Sequence, residues 1–367
     1  MKKTFIIFGL SALILSTVGC KKDGIDDDTS FLETATTTKT GKIFDISNDN
    51  SGNVKITPTG EGASSFTVKF GHGAGAAAQA DVTPGNSATH AYPEGNYTVT
   101  IISKSLTGKE TSNDYPLQVV YRAPENLTVT TTQTVHNLKV KATSLYAASY
   151  LVYFGDVANE TGTPLAAGAE VSHDYANAGT YNVKVVALSG GAAKTEKTTA
   201  VTIFNPLGLP ITFDDNTINY FFGTFGGNQQ FATVANPNAS GLNASAKVGK
   251  FTRGNESWSG TYTPLDVAID MANGKKIKVL AYNPDPALIG AQLNVELEAA
   301  VSGAPNGGAI LKKAFTTSGA WEELVFDFST LPTVPATEKY KQLVLRFNDA
   351  VNGAGAVIYV DNIRQTN

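Results

Sequence analysis

Phe66-Thr67-Val68-Lys69-Phe70-Gly71-His72-Gly73 leads on to His90-Ala91-Tyr92 and Gly95-Asn96-Tyr97-Thr98-Val99. The same pattern returns as Leu151-Val152-Tyr153-Phe154-Gly155-Asp156, His173-Asp174-Tyr175 and Gly179-Thr180-Tyr181-Asn182-Val183. Phe70 and Phe154 are 84 residues apart, His90 and His173 83, and Tyr97 and Tyr181 84. Self-similarity at one period marks a duplicated module. Within each copy Tyr97, Val99 and Ile101, or Tyr181, Val183 and Val185, fall on alternate positions and so share one face of a strand. Gly95 and Gly179 are expected in the tight turn before that strand, and Pro124 and Pro206 near module ends.

Composition agrees with short strands and many turns. The chain has 367 residues, only 16% charged, with 35 Gly and 15 Pro. That length suits two or three domains, and the Gly and Pro usage excludes collagen and wholesale disorder. The formal net charge of −4 argues against nucleic acid, which requires a basic face. A single Cys excludes an internal disulfide scaffold and a multi-cysteine metal site, and four scattered His do not suggest a zinc enzyme.

That cysteine is Cys20. Lys2 and Lys3, then the mostly apolar run Phe5–Ile14, read as a targeting segment too short to span a bilayer as a mature helix. Leu15-Ser16-Thr17-Val18-Gly19-Cys20 resembles a bacterial lipoprotein signal, with Thr17 where Leu is commoner; the resemblance implies lipidation at Cys20. The alternative is an ordinary secretory leader. Lys21-Lys22-Asp23 and Asp26-Asp27-Asp28 resemble the acidic stretch that exports lipoproteins of Bacteroidota to the cell surface. Loss of residues 1–19 removes Lys2 and Lys3 and leaves 26 basic against 32 acidic residues, a net −6. The expected organisation is a signal peptide (1–19), a lipidated N-terminus and tether (20–41), two modules (42–122 and 123–205) and a larger domain (207–367).

The aromatic-Gly-His/Asp element, with His-x-Tyr and Gly-x-Tyr-x-Val, resembles the polycystic-kidney-disease (PKD) domain, an immunoglobulin-like sandwich that usually serves as a spacer. His72 stands where that family has Asp, and Val157 where it has Gly. His90 and His173 are read as structural, because each repeats with its module and no nucleophile or ligand motif accompanies it.

Residues 207–367 hold both Trp, Trp258 and Trp321. Alternating runs place Ile277, Val279 and Ala281 on one face, Leu293, Val295 and Leu297 on another, then Leu343, Leu345 and Phe347, with Val357, Tyr359 and Asp361 last. Ala336–Lys341 and Asp285–Leu288 are the short helical candidates. Ile211-Thr212-Phe213-Asp214-Asp215, Ser257-Trp258-Ser259-Gly260, Trp321-Glu322-Glu323-Leu324 and Tyr359-Val360-Asp361-Asn362-Ile363 together resemble the galactose-binding-like jelly roll of secreted carbohydrate-binding modules. The expected fold is therefore all-β: two immunoglobulin-like (PKD-like) β-sandwiches, then a β-jelly-roll carbohydrate-binding-like domain. The resemblance implies a surface glycan-binding lipoprotein of Bacteroidota polysaccharide-utilisation systems. Such a protein sits in the outer membrane facing outward, captures a β-glucan such as laminarin, and works with an outer-membrane glycan importer and surface glycoside hydrolases. It also implies a structural calcium at Asp214 or Asp215 with Asp361, the alternative being that these residues cap turns.

Sugars bind by stacking on aromatic rings while planar polar side chains take the hydroxyls. The flanking Ser257 and Ser259-Gly260 make Trp258 the first candidate. Tyr220, Phe221 and Phe222, in a stretch ending at Gly223, are expected to form a rim, or else to pack over the sandwich. Gln292, Asn294 and Glu296 share a strand face, as do Arg346 and Asn348; they form a polar floor or a solvated face. Trp321 opens an apolar strand and is read as core. No hydrolase, phosphate-loop or dinucleotide motif is present, so a binder is expected rather than an enzyme. A structural or adhesive protein that binds other proteins, and a glycosidase or hydrolase accessory, are the alternatives.

Overall fold

The computed structural model describes residues 34–301, 309–349 and 351–367, and in them regular structure is almost wholly β. Cys20, the leader and most of the tether lie outside these residues. No helix among the described residues is long and apolar enough to cross a membrane.

The first repeat has seven strands: β1 Thr38–Ile46, β2 Asn53–Glu61, β3 Ala63–Lys69, β4 Gln79–Val82, β5 Ala88–Ala91, β6 Gly95–Ser105 and β7 Glu110–Val119. They form antiparallel sheets in the orders β1-β2-β5 and β4-β3-β6-β7. The second repeat has β8 Glu125–Thr134, β9 Asn137–Leu145, β10 Ser149–Tyr153, β11 Thr163–Ala166, β12 Val171–Asp174, β13 Gly179–Leu188 and β14 Lys194–Ile203. Its sheets, β8-β9-β12 and β11-β10-β13-β14, reproduce the first pair strand for strand. Period-2 patterning explains both cores. Val54, Ile56, Phe66, Val68, Val99 and Ile101 meet in one, and Leu138, Val140, Tyr150, Val152, Val183 and Val185 in the other.

The repeated motifs have physical causes. Gly71 and Gly155 have φ of 69° and 79°, and a Cβ there would lie 2.1 Å from Thr98 O and 2.6 Å from Asn182 O. Tyr92 and Tyr175 donate to the carbonyls of Phe70 and Phe154 at 3.0 and 2.9 Å; burial pushes the Tyr92 hydroxyl up to about 12 and raises that of Tyr175 further. His90 stacks on Phe70 and His173 on Phe154, at 4.3 and 4.4 Å between ring centroids. His173 Nε2 lies 2.7 Å from Asp156, whereas His90 Nε2 lies 3.0 Å from His72 Nδ1. Gly95 and Gly179 begin β6 and β13 instead of closing a turn, with the Tyr97 and Tyr181 rings lying against them. β1 starts at Thr38, inside the stretch expected as tether; Thr37 is buried with its hydroxyl 2.7 Å from that of Ser103.

The C-terminal region adds β15 Gly223–Phe225, β16 Gln230–Ala235, β17 Lys247–Thr252, β18 Gly260–Asp270, β19 Lys276–Tyr282, β20 Gln292–Glu298, β21 Ile310–Ala314, β22 Trp321–Asp327, β23 Lys339–Phe347 and β24 Val357–Thr366. Two five-stranded antiparallel sheets, β15-β18-β23-β20-β21 and β16-β17-β24-β19-β22, enclose the largest core. Ile277, Val279, Leu293, Val295, Leu297, Leu343, Leu345 and Phe347 are fully buried in it, as their alternation requires.

Two expectations need correction. In β24 the inward residues are Ile358, Val360 and Ile363, so the alternation is one residue out of phase with that expected of Val357 and Tyr359. The β19–β24 pairing shifts register between Lys278 and Leu280, and Asn362 has a φ of 43°, as a bulge requires. Residues 336–341 form no helix, because β23 takes over at Lys339. Trp321 is buried, as its apolar strand implies, in a small core cluster with Val248 and Leu280, its Nε1 donating to Asn238 O at 2.9 Å.

Candidate functional site

The sheet β15-β18-β23-β20-β21 has one face in the core. Alternation and register define what lies on the other. Gly260 pairs with Arg346, and Tyr262 with Val344; Asn294 also pairs with Arg346, and Glu296 with Val344. Phe225 pairs with Gly260, and Gly223 with Tyr262. Phe225, Tyr262, Arg346, Asn294 and Glu296 therefore share the outer face.

Aromatic rings run in a line along β15 and β18. Phe221 and Tyr262 are 6.3 Å apart between centroids, Tyr262 and Phe225 6.4 Å, and Phe225 and Trp258 6.3 Å with their planes only 5° apart. Trp258 and Phe221 are 53% and 51% exposed, so both ends of the line are open to a ligand. Glycines give the rings room: a Cβ at Gly260 would lie 2.6 Å from the Phe225 ring, and one at Gly223 2.4 Å from that of Tyr262.

The Trp258 loop is braced from below. Arg253 is 97% buried, and its Nε donates to Phe347 O at 2.8 Å and its Nη2 to Asn348 O at 2.9 Å; it also bonds the carbonyls of Val351 and Gly353. Burial lowers its pKa, with Asp349 opposing. The loop so fixed returns two bonds, Asn352 Oδ1 accepting from Ser257 N at 3.0 Å and Gly353 N donating to Asn255 O at 3.0 Å.

Beside the rings lies a polar floor. Arg346 sits 5.3 Å over the Phe225 ring, and its Nε is 2.9 Å from Glu296 Oε1. Glu296 is 98% buried and Asn294 wholly so, which sets aside the alternative of a solvated face for these two. Glu296 Oε2 and both amide atoms of Asn294 complete no hydrogen bond of good geometry, whereas Arg346 Nε is engaged by Glu296 Oε1. Burial raises the Glu296 pKa; Arg346 opposes the shift, and Glu298 and Asp349 add to it. Glu298 is also raised by burial while it accepts from Gln342. Asp349 is half-buried, yet its carboxyl is held below the usual range by Lys312, at 2.6 Å, and by the nearby Asn294 amide. Desolvated polar atoms without partners are costly; of Asn294, Glu296 and Arg346, only Arg346, 27% exposed, is open to a ligand.

Of the residues singled out from sequence, Trp258, Asn294, Glu296 and Arg346 come together here. Gln292 is at the exposed start of β20, and Asn348 lies beyond the end of β23 with a φ of 51°. Tyr220 and Phe222 pack against the core instead: Phe222 stacks on Phe231 at 4.1 Å and Tyr220 lies 5.2 Å from Phe213. In the run 221–225 the outward side chains are Phe221 and Phe225, and Phe222 points inward. Phe225 and Tyr262 went unrecognised because only cross-strand register reveals the glycines opposite them.

At the junction of the terminal strands, Ile211 pairs with Ile363. This brings Asp214 close enough to Asp361 for its charge to reinforce the raised pKa that burial gives Asp361, against the hydrogen bonds from Ser245, Asn362 and Asn243. Asp361 accepts from Asn243 Nδ2 and Asn362 N, and Asp214 from Lys247 N and Ala246 N. Asp215 is apart, capping Thr217. No group of three or more His, Cys, Asp or Glu suited to a metal exists among the described residues.

No family model and no curated protein matches the chain. Among solved structures it is similar to a carbohydrate-binding module of the β-sandwich superfamily with promiscuous specificity (20% identity, 68% of this chain and 100% of that one, TM-score 0.30). It is also similar to SGBP-B from a complex xyloglucan utilization locus in Bacteroides uniformis (13% identity, 90% and 99% covered, TM-score 0.29). A third is the family 11 carbohydrate-binding module of Clostridium thermocellum in complex with a β-1,3-1,4-mixed-linked tetrasaccharide (12% identity, 42% and 94% covered, TM-score 0.31).

Proposed function

We propose that this chain is a non-catalytic polysaccharide-binding protein of the cell surface. One observation carries the proposal: a line of aromatic rings, exposed at both ends, beside the part-exposed guanidinium of Arg346 on one sheet face. Ring faces stack on the aromatics, and hydroxyls accept from Arg346, which the buried Glu296 holds in place. Glu296 and Glu298 do not make a glycosidase pair. Both stand on one strand, engaged by Arg346 and Gln342, whereas hydrolysis needs two carboxyl groups flanking the bond.

The finer proposal follows from the sequence resemblances. Lipid on Cys20 holds the chain on the outer membrane, facing outward. The two repeats act as spacers, and the captured chain, a β-glucan such as laminarin in the leading case, passes to an outer-membrane importer and surface hydrolases. Long ligands and dense display compensate for a single modest site by avidity. A calcium ion shared by Asp214 and Asp361, with Asp215 outside it, belongs to the same proposal; it is supported by two carboxylates brought together, one of them wholly buried.

The test is affinity electrophoresis of the full chain on laminarin, mixed-linkage glucan, xyloglucan and cellulose derivatives, with Trp258→Ala alongside. Retardation lost in the variant supports the site. Failure to bind any glycan favours a structural or adhesive protein, and release of reducing sugar would make it an enzyme.

A further inference from the structure

We infer that the glycan track continues off the C-terminal sandwich into a cavity built jointly with the second repeat, so that this repeat is part of the binding site. The inference rests on the reading of the aromatic face given above. Residues Ala123–Leu188 and Lys194–Asn367 form one compact unit. The joint between them is tied: His136 Nε2 lies 3.1 Å from Asn205 Oδ1, and Asn205 Nδ2 donates to Thr217 Oγ1 at 2.8 Å. Leu207 N donates to Asp266 Oδ2 at 2.8 Å, and the Asp266 and Val267 amides return bonds to Leu207 O.

At this joint is a cavity of about 400 Å³, within the range of small-ligand sites. Gln133 and Val135, from the β8–β9 turn, form one wall; Asn219, Phe221, Pro264 and Asp266 form the other. Two features connect it to the aromatic face. Phe221 is at once the end of the ring line and a wall of the cavity. Pro264 follows Gly260 and Tyr262 at two-residue intervals along β18, so the outer face runs into the cavity without a break. The lining also suits the same occupant. Phe221, Pro264 and Val135 offer apolar surface to ring faces, and Gln133, Asn219 and Asp266 offer partners to hydroxyls. Val135 is held at a φ of 50°, which a β-branched residue rarely adopts, so the turn that brings Gln133 to the wall is kept at a cost in backbone strain. The occupant is the continuing chain of the glycan held at Trp258. Spacing is then not the second repeat's only task.

Isothermal titration calorimetry on the full chain tests this, with short and long oligosaccharides of β-1,3-glucan, mixed-linkage glucan and xyloglucan as probes. Wild type should bind long chains more tightly than short ones. Gln133→Ala and, separately, Asn219→Ala should weaken long-chain binding about three- to tenfold while leaving short-chain binding unchanged. Trp258→Ala should weaken both. If Trp258-dependent binding shows no such length selectivity in the two cavity variants, this inference fails and the reading of the face stands. If wild type binds none of the probes, both fail together.

Discussion

Arg346→Ala probes the electrostatics of the site most directly. Its Nε is 2.9 Å from the carboxylate of Glu296, which is only 2% exposed. Coulomb's law at an effective dielectric of about 20 gives such a pair roughly 6 kcal/mol. Arg346 is 27% exposed, so solvent screening and desolvation return part of that. Breaking a buried pair from one side costs about 3–5 kcal/mol, because the other charge is left unpaired. Trp321 is buried within the C-terminal domain, so its fluorescence reports unfolding there. With a urea dependence of about 2 kcal/mol per M, the midpoint should fall by roughly 2 M near neutral pH. The sign with pH is fixed. The folded pKa of Glu296 is raised, so the native state holds this proton more tightly than the unfolded chain does. Stability from this group is greatest below its unfolded pKa of about 4.3 and falls as pH rises through the folded value. Removing Arg346 takes away the charge that opposes the shift, so the gap between variant and wild type should close on acidification. Glu296→Gln added to Arg346→Ala should recover most of the loss. A neutral-pH midpoint within about 0.3 M of wild type, or a deficit indifferent to both acid and Glu296→Gln, would refute the reasoning.

Gly260→Ala places a methyl group 2.6 Å from the Phe225 ring and 2.7 Å from Leu345 O. It should destabilise the C-terminal domain by about 1–3 kcal/mol and weaken glycan retardation by displacing Phe225. In the first repeat, burial and then the neighbouring His72 lower the pKa of His90, so the native state binds its proton less tightly than the unfolded chain does. Stability there should fall as pH drops through about 6.5 and below. His72→Asp, which copies the His173–Asp156 pair, should remove that loss; hydrogen exchange in β3 and β6 reads it. Calcium added after chelation should raise the urea midpoint of the C-terminal domain, and Asp361→Asn should abolish the rise; no change in the wild-type midpoint would remove the calcium proposal.

Strand positions and core faces were legible wherever alternation was unbroken. Leu293, Val295 and Leu297 were assigned inward from spacing alone, and they are. The same rule slipped at β24, where Val357 and Tyr359 alternate with Ile358 and Val360, both sets are apolar, and spacing does not say which faces the core; the bulge between Asp361 and Arg364 then brings Ile363 inward. Trp258, Asn294, Glu296 and Arg346 could be named as candidates, but their convergence depends on the pairings β18–β23 and β23–β20, which join residues up to 86 apart. Tyr220, Phe221 and Phe222 were visible as an aromatic run. Which of them faced outward was not, since that turns on the register of a three-residue strand. The burial of Asn294 and Glu296 was hidden for another reason: an alternating polar face reads as solvated until its neighbours are known.

The buried guanidinium of Arg253 bears on when the ordering entropy of the Trp258 loop is lost. Its bonds to the carbonyls of the 347–353 segment hold that segment, and through Asn352 and Gly353 the Trp258 turn, before any ligand arrives. The loop therefore surrenders its conformational freedom during folding and not on encounter with a chain. A rigid platform of this kind recognises shape rather than moulding itself to it, so related glycans should be discriminated by how well their rings lie flat along a fixed line.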